Sequence, residues 1–169
     1  FEAYQAQYSL VVRDIDEEIV PACGAKGVGL VAWSPLASGY LAGRYQPGSL
    51  RSEGTRSAEG WGFQSRFFAA NHAEILQALI ETARELGRTP AQVALRWVMD
   101  QPFMTSAIVG ARHAQQLAET LEAGGWRLPD AARARLDAVS AQPHRYPRAF
   151  EEPMVDRRNG AVKMPGRKA

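Results

Sequence analysis

The chain has 169 residues, 46% of them apolar, and a net charge of +2, which suits one packed domain and excludes a chain disordered throughout. Its single cysteine, Cys23, excludes an intrachain disulfide. The longest apolar run, Gly27 to Trp33, falls far short of the roughly 20 residues that span a bilayer, so a soluble protein of the reducing cytoplasm is expected.

The first residue is Phe1 rather than Met, and the chain opens directly into strand-like sequence, Phe1 to Ala6, which reads as a start inside a larger fold. Asp14 to Lys26 has acids early and Lys26 late, with Gly27 placed as a stop, and predicts a helix in which Cys23 is a packing residue. Gly29 to Trp33 is a second strand. The long stretch Gly43 to Phe68, rich in Gly, Ser and Arg, reads as a lid over a site, with Trp61 as a wall of a substrate pocket.

Ala73 to Leu86 carries Ile75, Leu76, Leu79, Ile80, Ala83 and Leu86 at helical spacing, ended by Gly87. Thr89, Pro90 and Gln92 form the start of another helix, as cap, first helical residue and capping-box partner, with Val93, Ala94, Trp97 and Val98 on its buried face. Ala107 to Gly110 predicts a third strand, and His113 to Ala123 a helix with Leu117 and Leu121 on one face. A last helix puts Leu128, Ala132, Leu136 and Val139 on one stripe. From Arg145 onward seven basic and three acidic residues give a tail of charge +4, against −2 for the rest; it is expected to run extended over the surface. Residues 1 to 144 are thus read as the folded portion and 145 to 169 as a basic tail.

Strands alternating with helices imply a parallel sheet, because parallel strands need crossovers. Three strands covered on one face leave the other face and both edges open, so further strands are expected from elsewhere. The two apolar strand ends run into Trp33-Ser34-Pro35-Leu36-Ala37-Ser38-Gly39 and Ile108-Val109-Gly110-Ala111-Arg112. Small residues, hydroxyls and backbone N–H groups at such ends suit an anionic cofactor. Trp33 taken alone reads as a core residue, and its Ser-Pro-Leu sequel turns the reading toward a ligand. His72, His113 and His144 lack metal-like spacing and read as caps or surface residues. The tail lacks the interleaved aromatics and the module that nucleic-acid binding requires.

Gln5-Ala6-Gln7-Tyr8-Ser9-Leu10, the Trp33 to Gly39 segment, Gly43-Arg44-Tyr45, Thr89-Pro90-Ala91-Gln92-Val93-Ala94-Leu95-Arg96-Trp97 and Ile108 to Arg112 follow one another in an order and spacing that resemble the aldo-keto reductases, over residues 1 to about 140. The resemblance implies an α/β fold, a (β/α)8 barrel of which this chain looks like the last three strands and their helices. It implies NADPH as cofactor and an aldehyde or ketone as substrate. Gln5 would hydrogen-bond the nicotinamide carboxamide, and Trp33 would stack on the ring. Ser34, Pro35, Leu36, Ser38 and Gly39 would wrap the pyrophosphate, their exposed N–H groups facing it, with Arg44 and Arg56 clamping phosphate from above. Gly110, Arg112, Gln116, Glu119 and Thr120 would form the adenosine end, Arg112 meeting the ribose 2′-phosphate; Thr120 stands where the family usually has Asn. The family's catalytic Asp, Tyr, Lys and His lie on earlier strands, and none of Tyr4, Tyr8, Tyr40, Tyr45 and Tyr146 stands in their context. The chain by itself is therefore expected to be inactive without a complementing half, and no metal is expected. A redox-sensing subunit of the potassium-channel β-subunit branch, binding NADPH but turning over slowly, is the alternative that the resemblance leaves open.

Overall fold

A computed structural model of the protein describes residues 1–43, 45, 71–144, 146–150 and 154. The element order is β1 (Ala3–Gln7), α1 (Ile19–Lys26), β2 (Gly29–Trp33), a short 3₁₀ segment (Ala37–Ala42), α2 (His72–Glu85), α3 (Pro90–Met99), β3 (Met104–Ala107), α4 (Ala114–Leu121) and α5 (Asp130–Val139). The three strands form one parallel sheet in the order β1-β2-β3. The chain is thus an α/β fold with a parallel sheet and intervening helices, as its alternating pattern predicts.

Other elements shift by one or two residues at their ends, β1 to Ala3–Gln7, α4 to Ala114–Leu121 and α5 to a start at Asp130 beyond Leu128, but two boundaries differ more from the sequence reading. α1 starts at Ile19 instead of Asp14. Pro21 explains this: it falls within the first turn of the shorter helix, where its missing N–H costs nothing, whereas a start at Asp14 would put its ring against a preceding carbonyl in the helix interior. Gly27 ends the helix as expected, in the left-handed region at φ 67°. The third strand is Met104–Ala107 rather than Ala107 to Gly110. Its bounds are set by its partner, since β2 pairs Leu30, Val31 and Ala32 with Met104, Ser106 and Ala107. Beyond Trp33 the β2 chain turns away and offers nothing for Val109 and Gly110 to pair with. The register skips Thr105, and a Cβ on Gly29 would lie 2.8 Å from its Oγ1, so any side chain at 29 would have to displace the Thr105 hydroxyl beside the bulge.

Among the described residues the sheet has a covered face and an open one. Ala6, Leu30 and Ala32 are buried, and Ala32 joins a core of Tyr8, Leu10, Leu41, Ile75, Leu76, Leu79, Val93, Trp97, Val98 and Leu136. Gln5, Val31 and Ser106 stand opposite one another in register, as do Gln7 and Trp33. Period-2 alternation puts all five on the other face, where none is buried. α2, α3 and α5 pack together over the covered side. The α3 N-terminus is built as the sequence predicts: Thr89 Oγ1 accepts from Gln92 N at 3.2 Å, Gln92 Oε1 accepts from Thr89 N at 3.0 Å, and Pro90 opens the helix.

A polar lock holds the loop after β1 to the helices. Arg13 donates to Asp16 Oδ2 at 2.8 Å and Ser140 Oγ at 2.9 Å, and its guanidinium lies 5.4 Å from the centre of the Trp97 ring. Trp97 in turn donates Nε1–H to Asp137 at 2.8 Å and stacks on Tyr8. Cys23 is a buried free thiol. His72, read from sequence as a cap or surface residue, is instead buried in the first turn of α2, where its carbonyl accepts from Tyr40.

Candidate functional site at the strand ends

All three strands run in the same direction, so their C-terminal ends lie at one edge of the sheet. Two hydrogen bonds tie the ends together: Tyr8 N–H donates to the Trp33 carbonyl at 3.3 Å and Ile108 N–H to the Ala32 carbonyl at 2.8 Å. The Trp33 to Gly39 and Ile108 to Arg112 segments therefore leave adjacent strands side by side. In α/β sheets this edge is where ligands bind, because the chain turns there and backbone groups are released from the ladder.

Trp33 ends β2 on the open face with 37% of its surface exposed, whereas Trp97 is fully buried. Gln5 is exposed on the same face, one ladder step back on β1. The chain after Trp33 is a run of unusual backbone: Ser34, Ala37 and Ser38 have φ of 54°, 49° and 56°, and Gly39 has φ 95°. Three non-glycine residues in the left-handed region within five positions mark strain, which concentrates where a site dictates backbone shape. Pro35 is buried beneath this turn, with Leu36 half-buried.

The sequence reading gave this loop exposed N–H groups, and here the structure corrects it. Ala37 N donates to the Ser34 carbonyl at 2.9 Å, Gly39 N and Leu41 N to the Leu36 carbonyl at 2.9 and 3.2 Å, and Ser38 N to Ser34 Oγ at 3.3 Å. The tight left-handed turns fold these amides inward. The Ser34 hydroxyl, used here as an acceptor, keeps its hydrogen as a donor.

On the neighbouring strand end, Gly110 is exposed, its φ lies outside the left-handed region, and a Cβ built there meets no atom within 4 Å. Nothing in the described chain requires glycine at this position. Arg112 is exposed, and its N–H donates to Gln116 Oε1 at 2.8 Å; Gln116 N donates to the ring Nδ1 of His113 at 3.2 Å. His113 is thus the N-cap of α4, as the sequence allowed, and Gln116 pins Arg112 to the helix start. Gln116, Glu119 and Thr120 share a face of α4 by their spacing. Thr120 is half-buried, and the Glu119 carboxylate accepts from Gln115 at 3.3 Å. Arg44 and Arg56, with Trp61 and the expected lid, lie outside the described residues.

Tyr8, the phenol nearest the strand ends, is fully buried. Burial, and after it the Asp16 carboxylate, push its pKa well above the ordinary phenol value. It is a packing residue facing Trp97 and Phe103. Among the described residues no group of three or more His, Cys, Asp or Glu could hold a metal ion, and no helix is long and apolar enough to cross a membrane.

A parallel α/β sheet with left-handed backbone at its C-terminal edge is the class of fold these residues define. Within that class the chain belongs to the aldo/keto reductase family, whose description matches residues 1–141. The family's fold is a (β/α)8 barrel, and the parallel sheet described here is an α/β fragment consistent with it. The chain is 38% identical over 120 residues to the Bacillus subtilis (strain 168) protein named uncharacterized oxidoreductase YrpG, covering 70% of this chain and 34% of that protein. It is 31% identical over 126 residues to the L-glyceraldehyde 3-phosphate reductase of Escherichia coli (strain K12), covering 71% and 36%. It is 33% identical over 121 residues to a probable voltage-gated potassium channel subunit beta of Arabidopsis thaliana, covering 70% and 37%. The matched region amounts to 34% to 37% of these relatives' length.

Proposed function

We propose that these residues are the C-terminal, cofactor-binding part of an NADPH-dependent aldo-keto reductase, comprising the last three strands of its barrel in residues 1–144 and a basic tail in 145–169. The observation that carries this reading is the pairing of an exposed Trp33 with an unobstructed Gly110 on hydrogen-bonded strand ends. A large flat ring left uncovered suits stacking, and a glycine that no neighbour requires suits close approach of a ligand. NADPH, when bound, supplies the hydride that reduces an aldehyde or ketone.

In this reading Gln5 holds the carboxamide and Trp33 orients the nicotinamide face. Ser34, Pro35, Leu36, Ser38 and Gly39 shape the pyrophosphate seat, to which Ser34 contributes a hydroxyl donor, with Arg44 and Arg56 closing on the phosphates. Gly110, Arg112, Gln116, Glu119 and Thr120 take the adenosine end, Arg112 selecting the 2′-phosphate by a bidentate charge-assisted contact. The substrate is a small carbonyl compound in the cytoplasm, with neither nucleic acid nor membrane as partner. The proton-donating Tyr and its companions come from strands outside these residues, so residues 1–169 alone are inactive.

The relatives named as potassium channel β subunits favour a second reading, a subunit that binds NADPH tightly and oxidises it slowly. Steady-state NADPH oxidation by the full-length protein over a panel of small aldehydes and ketones separates the two. Sustained turnover supports the reductase; a single slow turnover of bound NADPH supports the sensor. Failure to bind NADPH at all contradicts both.

A further inference from the structure

α4 carries Gln116, Glu119 and Thr120, yet apolar packing does not hold it in place. None of its side chains is buried, and Leu117 and Leu121 are 42% and 63% exposed. Its C-terminal carbonyls are satisfied in a particular way. Those of Ala118, Thr120 and Leu121 accept from the N–H groups of Glu122, Ala123 and Gly124. The Glu119 carbonyl accepts instead from Gln92 Nε2, on α3, at 3.0 Å.

Gln92 is only 4% exposed, and its amide is fully used. One Nε2 hydrogen goes to the Glu119 carbonyl and the other to Glu122 Oε2 at 3.0 Å, while Oε1 accepts from Thr89 N. Arg96 and Asp100 extend the same row along α3, reaching the Ala123 carbonyl at 3.5 Å and Leu128 N at 2.8 Å, and are paired to each other at 2.9 Å. Gln92 thus holds the C-terminal end of α4, while Arg96 and Asp100, at helical spacing from it, hold the chain that follows α4. We infer that Gln92 is a positioning residue: its amide fixes α4 so that Glu119 and Thr120 face the adenosine end of the cofactor. This rests on the cofactor reading above.

The test uses the full-length protein and Gln92→Glu. That change keeps an acceptor for Thr89 N, so the capping box survives, but replaces the donor with a carboxylate facing the Glu119 carbonyl and the Glu122 carboxylate. Two readouts apply: the calorimetric Kd for adenosine 2′,5′-bisphosphate, and amide exchange of α4 against α2. The loss expected for Gln92→Glu is about tenfold in affinity, the scale of one hydrogen bond, with faster exchange confined to α4. Adding Glu122→Gln removes the facing carboxylate and returns a donor to the side chain at 92, but the Glu119 carbonyl stays without its partner, so both readouts are expected to recover only in part. Unchanged affinity, or equal loosening of α2 and α4, overturns the proposal while the cofactor reading stands. A wild-type protein that binds no adenosine 2′,5′-bisphosphate overturns the adenosine-end reading and this proposal with it.

Discussion

At the scale of single residues, Gly110 separates what the fold needs from what a ligand needs. With open space around its Cβ position and no positive φ, Gly110→Ala is expected to leave the urea midpoint unchanged or raise stability by up to about 1 kcal/mol. If the residue admits a cofactor, the same variant loses affinity for NADPH by about tenfold or more; a variant that binds normally contradicts the close-approach role. Tyr8 makes the opposite case. Its buried hydroxyl lies near the Asp16 carboxylate but outside hydrogen-bond geometry, so Tyr8→Phe removes at most a poor contact, and stability is expected to stay within about 1 kcal/mol of wild type or rise. Because folding raises the Tyr8 pKa from 10.0, the stability it protects is present below pH 10 and is lost above it, as the unfolded chain ionises and the folded one does not. Tyr8→Phe is therefore expected to unfold less steeply than wild type above about pH 10, while Tyr40, whose pKa is also raised by burial, keeps its share. Catalytic turnover should survive the change; its abolition would move a proton-transfer role onto this phenol.

At the scale of elements, the helices were legible because their signals are local. Thr89, Pro90 and Gln92 specify a helix start by contacts three residues apart, and the structure forms that box in full. Thr89→Ala is expected to cost about 1 kcal/mol, within the 0.5–2 range for lost caps, measured by chemical denaturation; a cost near zero would show that Pro90 and packing alone start the helix. The periodic apolar residues of α2 and α5 were legible for the same reason, and Ile75, Leu79 and Leu136 are fully buried. What was not legible depends on partners distant in sequence. The third strand lies three residues earlier than Ile108-Val109-Gly110 implies, because β2 sets its register. The amides after Trp33 turn inward because Ser34, Ala37 and Ser38 adopt left-handed backbone that small residues permit without announcing. Gln92 was visible as a cap, whereas the use of its other amide atom on α4, 27 residues away, has no sequence signature.

At the scale of the whole molecule, one sheet face packs on helices while Gln5, Trp33 and Ser106 stand exposed on the other, and among the described residues β1 and β3 each have a single neighbouring strand. An open parallel sheet of this kind is a template for association. Residues 1–169 produced alone are therefore expected to bind a hydrophobic dye and to run as aggregates in size-exclusion chromatography. A monodisperse monomer that melts cooperatively would show that the open face and edges are tolerated, and would contradict the need for further strands. The same placement gives the strand-end site its meaning, since in a closed barrel the open face becomes the interior and its C-terminal rim the ligand site.

The central claim, that this rim holds NADPH with Arg112 on its 2′-phosphate, is tested most directly by calorimetric titration of the full-length protein and Arg112→Ala with NADPH and NADH. The account predicts that wild type prefers NADPH and that Arg112→Ala loses about tenfold or more in NADPH affinity, the scale of a charge-assisted bidentate contact, with NADH affinity unchanged. Equal wild-type affinities for the two cofactors, both unaltered by Arg112→Ala, would contradict it.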